Sequence, residues 1–477
     1  MTVLNHKIKP FHYFEEICAI PRGSYHEEQI ADYLEHFAQL HDLKYKRDQM
    51  HNVVIYAPAT KGFAKKASVM LQAHTDMVCD KIMGSTHDFM KDPIDLIVKK
   101  GFVTTKGTTL GADDGAGVAL MLALLDDDSY KHPTLECVFT VQEEVGLFGA
   151  MGLDSSWISA KRMISLDGDV FGQTEVSSCG GRDMMIRKTM HRIENEDPVY
   201  SLKISGLLGG HSGDAFNKER ANANVLMARI LKECIDQGID CRIVDIEGGS
   251  KENAITREAE VLFASQTSSD RIEDIVKNML QAFKEEYKES DRGIKGDLTI
   301  AEGETCFSFE DSEALITFMF MMPYGVLSYS AMIPDLPTAS LNMGVVKIED
   351  DLLNIIISVR ATLSSKRDEI CNRIGTLAFL YGMSVDEQGD YDGWDFDPHS
   401  SLRKALKKSF KSYFKEEIKE EVTHGGLETG IFKGKIPDLD IVTLGANAID
   451  IHTPEERLEL KSFENVYEFL KYFLETL

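Results

Sequence analysis

Along the first third of the chain, short apolar runs alternate with amphipathic stretches. "NVVIYAP", "ASVMLQAH", "TLECVFTVQ" and "KRMISLD" read as strands. They are rich in Val, Ile, Leu and Met without clean polar alternation, which marks strands covered on both faces of a sheet. Between them, "SYHEEQIADYLEHFAQL" predicts a helix with Ser24 as N-cap and Glu27 three residues on. "DDGAGVALMLALLDDD" predicts another, with acids in its first turn. Strand–helix alternation of this kind predicts an α/β domain with a central sheet.

From about Arg182 the texture changes. "RDMMIRKTMHRIENEDPVYSLKISGLLGGHSG" alternates and carries many charges, as a hairpin open to water on one side would. The stretches "ANANVLMARILKECIDQG" and "RIEDIVKNMLQAFKEEYKES" predict helices, and "DDLLNIIISVRATL" a strand. A helix from about Lys366 leads into a polar, turn-rich link over residues 386–398. Beyond it, "SLRKALKKSFKSYF" and "SFENVYEFLKYFLETL" are helical, and "LDIVTLGANAIDIH" returns to buried-strand texture. The expected organisation is an α/β domain made of residues 1–181 and 395–477, interrupted by an inserted α+β domain over 182–394.

A length of 477 residues supports that division, since single cores seldom grow beyond about 250–300 residues. No apolar stretch approaches the ~20 residues that span a bilayer, and the opening "MTVLNHKIKPFHYFEEICAI" shows no signal-peptide core. The expectation is a cytoplasmic protein without a membrane partner. A net charge of −26 argues against a nucleic-acid partner, whose phosphates would be repelled. The eight cysteines include no C-x-x-C pair and are expected as reduced thiols.

Polar groups collect where the predicted strands end. "MLQAHTD" delivers His74 and Asp76, "LGADDGAG" delivers Asp113 and Asp114, and "VFTVQEE" delivers Glu143 and Glu144. "MISLDGD" delivers Asp167, and "IVTLGANAIDIH" leads to His452. Open α/β sheets bind ligands outside the carboxyl ends of their strands. Histidines and carboxylates gathered there, with no thiol among them, describe an N/O metal site suited to Zn²⁺, Co²⁺ or Mn²⁺. Neighbours on a strand face opposite ways, so Glu143 and Glu144 are expected to divide two jobs. One ligates, and the other takes a proton from water activated by the metal. Asp114, opening a helix, reads as a cap.

Seven motifs together, "HTDMV", "GADDGAG", "QEEVGLFGA", "LDGD", "GGHSG", "HGGLETG" and "IHTPEER", resemble the aminoacyl-histidine dipeptidases, or Xaa-His dipeptidases (peptidase D), of the two-metal zinc exopeptidase superfamily. The likeness runs from about Phe14 to the C-terminus and is weakest in the middle domain. It implies an α/β/α catalytic domain with a central mixed sheet and an inserted lid. It implies two divalent ions per chain, zinc first, with cobalt or manganese as alternatives. His74 and Asp167 would hold one ion, Glu144 and His452 the other, with Asp113 bridging and Asp76 orienting His74. Glu143 would be the general base acting on a metal-bridging water, and His211 would stabilise the oxyanion. Arg360 would grip the substrate carboxylate and Glu428 would meet its free amino group, with Asn253 and His424 in support. The implied substrate is a dipeptide, preferably Xaa-His, and a homodimer is compatible with the resemblance. The rivals are a related tripeptidase or N-acyl amino acid deacylase, and an inactive peptide-binding scaffold.

Overall fold

In the computed structural model, residues 2–213, 215 and 218–477 are described. The chain divides into two compact units. The first comprises Met1–Ser178, Trp394–Val422 and Leu427–Leu477, and the second comprises Cys179–Gly393 and Thr423–Gly426.

The first unit is α/β, built on a six-stranded mixed sheet. Its order is Lys44–Arg47, Val53–Ala57, Leu135–Thr140, Val69–His74, Arg162–Gly168, Asp440–Gly445. The last four run parallel, and the first two pair antiparallel at one edge. Every residue of Val69–His74 and Leu135–Thr140 is buried, because both faces are covered, which is why these segments read as unbroken apolar runs. Ala112–Leu125 packs against two of these strands and is buried almost all round. Outer helices are amphipathic: Leu460–Thr476 buries Phe463, Val466, Tyr467, Leu470, Phe473 and Leu474 on one stripe.

The second unit holds a nine-stranded antiparallel sheet. Pro337–Glu349, Leu352–Ala361, Gly180–Thr189 and Ser384–Tyr391 follow one another at one end of it. One face carries Leu341, Met343, Ile357, Val359, Met184 and Ile186 into the core shared with the helices.

Four local expectations are corrected. Ser24 does not cap Glu28–Leu40, whose first turn lacks a side-chain cap; its hydroxyl donates to Asp76 Oδ2 at 2.8 Å instead. The charged segment after Arg182 is not a self-paired hairpin. Gly180–Thr189 pairs with Leu352–Ala361 and Ser384–Tyr391, while Val199–Ser205 pairs with Ala259–Ala264 and Lys295–Ala301. The "link" over 386–398 begins as part of the strand Ser384–Tyr391, polar because it forms the sheet edge. Finally, Glu143 and Glu144 lie beyond the strand that ends at Thr140, so strand alternation does not orient them. All eight cysteines are free, and all but Cys79 are buried.

Candidate functional site

The parallel strands of the first unit end together, and the loops leaving them hold the predicted ligands. His74 is the last residue of its strand and 1% exposed. Its Nε2 lies 2.9 Å from Asp113 Oδ1 and 3.6 Å from Asp167 Oδ1. His452 Nε2 lies 3.1 Å from Asp113 Oδ2 and 3.0 Å from Glu144 Oε2. Asp113 therefore offers one oxygen to each imidazole. Donor atoms of His74, Asp113 and Asp167 fall within 4.8 Å of one another, as do those of Asp113, Glu144 and His452. Glu143 joins a third such group with His74 and Glu144.

Buried acids and one arginine shape the loops. Asp76, fully buried, stands 3.4 Å from His74 Nδ1 and accepts the backbone N–H groups of Glu143 at 3.0 Å and Glu144 at 3.3 Å. One carboxylate thus fixes both the His74 ring and the turn that presents the paired glutamates. Gly146, at φ +132°, lets that turn close. Glu456, 1% exposed, accepts the N–H groups of Leu110, Gly111, Ala112 and Asp113, and so sets the loop carrying Asp113. Arg22, 2% exposed, donates to the carbonyls of Thr75, Asp76 and Gly111. Asp114 Oδ1 accepts Gly117 N–H at 2.9 Å where regular helix begins, the geometry of a cap. Glu456 and Arg22 were not among the expected site residues; Glu456 stands in "IHTPEER", two residues past Pro454, and its motif was the only signal for it.

The electrostatics call for cations. Among the described residues no Lys or Arg pairs with Asp113, Glu143, Glu144 or Asp167; the ionic partners of Asp113, Glu144 and Asp167 are the two histidines. Burial pushes the Asp167 carboxyl up to about 7, with Asp113 and Glu144 adding to it against His74. Burial also raises Glu143 well above the usual carboxylate range, against His74 and with Asp167, Glu144 and Glu428 reinforcing it. Hydrogen bonds to Asp113 and Glu144 lift His452 to about 10. Glu144 Oε1 and Asp114 Oδ2 are buried without a hydrogen-bond partner. A set of imidazole and carboxylate donors, crowded with like charge and holding an unpartnered buried oxygen, fits divalent cations. His74, Asp113 and Asp167 would hold one, and Asp113, Glu144 and His452 the other.

Glu428 also belongs to the first unit. It is 1% exposed, accepts from Gln72 Nε2 and Thr140 Oγ1 at 2.6 Å each, and keeps Oε1 without a partner. Burial raises it to about 8.

The remaining predicted residues lie in the second unit. His211 pairs with Ala254 in a two-stranded ladder, and Ser212 N–H donates to Asn253 O at 2.8 Å, so His211 and Asn253 are neighbours. Arg360 is 8% exposed and donates to Tyr391 Oη at 3.2 Å. Gly181, cross-strand from Arg360, makes room for the Tyr391 ring, which a Cβ there would meet at 2.6 Å. Arg360 Nε has no hydrogen-bond partner, and no carboxylate pairs with this guanidinium among the described residues. His424 is buried, with Nε2 2.6 Å from Ser340 Oγ and Nδ1 beside Cys179 Sγ; Ser340 is cross-strand from Arg360.

The model of peptidase family M20/M25/M40 matches residues 70–476. The cytosol non-specific dipeptidase of Escherichia coli (strain K12) is 32% identical over 464 residues, covering 96% of this chain and 95% of that one. The crystal structure of aminoacylhistidine dipeptidase from Vibrio alginolyticus superposes with a TM-score of 0.92 at 31% identity, over 98% of this chain and 96% of that one. The aminopeptidase PepT of Bacillus cereus ATCC 10987, at TM-score 0.58 and 17% identity, shares the fold. With a sheet that gathers histidines and carboxylates at its strand ends and a family match spanning most of its length, the chain belongs to peptidase family M20/M25/M40.

Proposed function

We infer that this chain is a metal-dependent dipeptidase that hydrolyses the peptide bond of dipeptides and prefers Xaa-His. The observation that carries this is the division of the Asp113 carboxylate between two donor sets, one with His74 and Asp167, the other with Glu144 and His452. These residues would hold two divalent ions, zinc by the donor chemistry with cobalt or manganese as substitutes, which would supply Lewis acidity toward the scissile carbonyl and toward water.

The chain's own groups do the rest. Glu143 accepts a proton from the attacking water as its oxygen bonds to the carbonyl carbon. It returns a proton to the amine as the C–N bond breaks. Asp76 holds the His74 ring and the Glu143–Glu144 turn in register with each other. His211 donates to the oxyanion. Arg360, a buried guanidinium that lacks a carboxylate partner, receives the substrate's terminal carboxylate. The unpartnered Oε1 of Glu428 receives the free ammonium, while Asn253 and His424 hold neighbouring groups in place. This last role separates a dipeptidase from an N-acyl amino acid deacylase, whose substrate lacks that ammonium.

The E. coli relative is named a cytosol enzyme, and no helix among the described residues is long and apolar enough to cross a membrane. A cytoplasmic location and a homodimeric assembly complete the proposal. The test is hydrolysis of Ala-His, Ala-Leu, a tripeptide and an N-acetyl amino acid, with and without a chelator. Chelator-sensitive cleavage of the dipeptides, Ala-His foremost, is expected. Preference for the acylated amino acid would overturn it.

A further inference from the structure

The second unit carries a polar patch that the roles above leave half used. Register sets Gly181, Arg360 and Ser340 side by side across three strands, and Asp183, Ser358 and Asn342 in the next row. Alternate residues share a face, so both rows lie on the side opposite the apolar core positions Ile357, Val359 and Met184. Asp183 is diagonal to Arg360, a separation of roughly 7–8 Å between backbones.

The two opposite charges do not pair with each other. Burial raises the Asp183 carboxyl, with Glu252 adding to the effect, while a hydrogen bond from Ser358 and the charge of Arg360 oppose it. No Lys, Arg or His pairs with Asp183 among the described residues. Glu252 is held over the same patch, where its backbone carbonyl accepts Asn342 Nδ2 at 2.9 Å. The neighbouring Arg182 is the contrast. Pointing to the other face, it is met by Asp368, Glu387 and Asp390. The fold sets carboxylates in contact with Arg182 but gives Arg360 and Asp183 no ion-pair contact among the described residues, and these two feel each other's charge only across the sheet diagonal.

We propose that Asp183 selects dipeptides whose C-terminal residue has a cationic side chain (histidinium, lysine or arginine), pairing with that cation while Arg360 holds the α-carboxylate. One amino acid carries both complementary charges on a single residue, at a spacing of the order the sheet diagonal provides. The proposal rests on the dipeptidase reading, and on Arg360 as its carboxylate site. It extends the Xaa-His preference to a class defined by charge, with Asp183 as its determinant and Glu252 reinforcing the field.

The experiment measures kcat/KM for Ala-Lys, Ala-His and Ala-Leu at pH 6 with metal-loaded wild type, Asp183→Asn and Asp183→Glu, alongside thermal melts. Asp183→Asn should lower Ala-Lys and Ala-His roughly 10- to 100-fold, the scale of one charge-assisted contact. Ala-Leu should change by no more than a few-fold, and Asp183→Glu should recover part of the loss. Equal loss on all three substrates would place Asp183 at a group common to every dipeptide, such as the amino group, and overturn the inference. Unchanged Ala-Lys would also overturn it. Should Asp183→Asn fail to fold, the wild-type ratio of Ala-His to Ala-Leu decides. It should fall as pH rises through about 6.5, where the substrate's imidazolium loses its proton; titrations that act alike on both substrates cancel in the ratio, and a flat ratio overturns the inference. Wild type that cleaves none of the three would instead sink the dipeptidase reading itself.

Discussion

The two units assemble polar groups in opposite ways. In the first, functional side chains sit on loops at the ends of parallel strands, and a layer of buried acids holds those loops by their backbone N–H groups. Asp76 grips the Glu143–Glu144 turn and Glu456 grips the Asp113 loop. In the second, the groups stand in rows on one face of an antiparallel sheet, placed by strand register. The first arrangement crowds like charges until only cations can relieve them. The second spaces single charges apart and leaves each half satisfied, which suits an organic ligand carrying its own charges. On the proposed reading, the strand ends carry the chemistry and the sheet face receives the substrate.

The largest expected effect tests the first arrangement. Glu143→Gln removes the proton acceptor and no ligand, so kcat should fall by about 10²–10⁴-fold with metal content unchanged. Glu144→Gln should lose one ion and regain part of its activity as metal is added. Metal titrations of both variants read this out, and the reverse pattern would exchange the two roles.

Next comes the second arrangement. Arg360→Ala should lower kcat/KM on free-carboxylate dipeptides by roughly 10- to 100-fold, and change that on C-terminally amidated analogues far less. Arg182→Ala, one strand over, should leave kinetics alone and cost no more than about 1 kcal/mol, since its partners are half exposed. If the two variants behave alike, the contrast between paired and unpaired arginines fails.

A smaller effect concerns the supporting layer. Glu456→Gln keeps an acceptor but loses the charge that four N–H groups share, so metal affinity should drop by roughly tenfold, measurable by competition with a chromogenic chelator. Unchanged affinity would mean that the Asp113 loop holds its shape without this carboxylate.

The smallest is a pH slope. Burial raises Glu27 to about 7, with Asp76 adding, and Glu428 to about 8. Both bind protons in the folded state at pH values where the unfolded chain, ionising near 4.5, has released them. The folded protein then holds more protons than the unfolded one, so stability falls as pH rises from about 4.5 through 7–8. The Tm of metal-free protein should decline over that window, and Glu428→Gln should flatten the slope. A slope unchanged by that substitution would contradict the buried, proton-holding state of Glu428.

How much could be read from sequence follows the same divide. The buried strands around His74, Thr140 and Asp167 were legible because an unbroken apolar run has few other uses. The ligands were legible because each lies within a few residues of such a run's end. Ser24 misled, since a capping signature says nothing of a distant carboxylate, Asp76, that recruits the same hydroxyl. Gly180–Thr189 read as a strand from its alternation, yet its partners lie far downstream, with Thr189 opposite Leu352 and Gly181 opposite Tyr391, and alternation carries no address. Ser384–Tyr391 read as a link because an edge strand can be polar throughout. The row Asp183–Ser358–Asn342 had no sequence signature, being made of three unremarkable polar residues that only register brings together. Glu456 could have been suspected from its motif, but a buried acid clasping backbone looks in sequence like any surface glutamate.

Equilibrium metal binding reads out whether Asp113 joins two ion sites into one centre. Wild type and Asp113→Asn, stripped by chelation and then titrated, should differ in stoichiometry as well as affinity. Wild type is expected to bind two ions per chain, and Asp113→Asn to bind both more weakly, because each donor set loses an anionic ligand. Full activity of wild type with a single ion, or an Asp113→Asn variant that binds two ions as tightly as wild type, would contradict it.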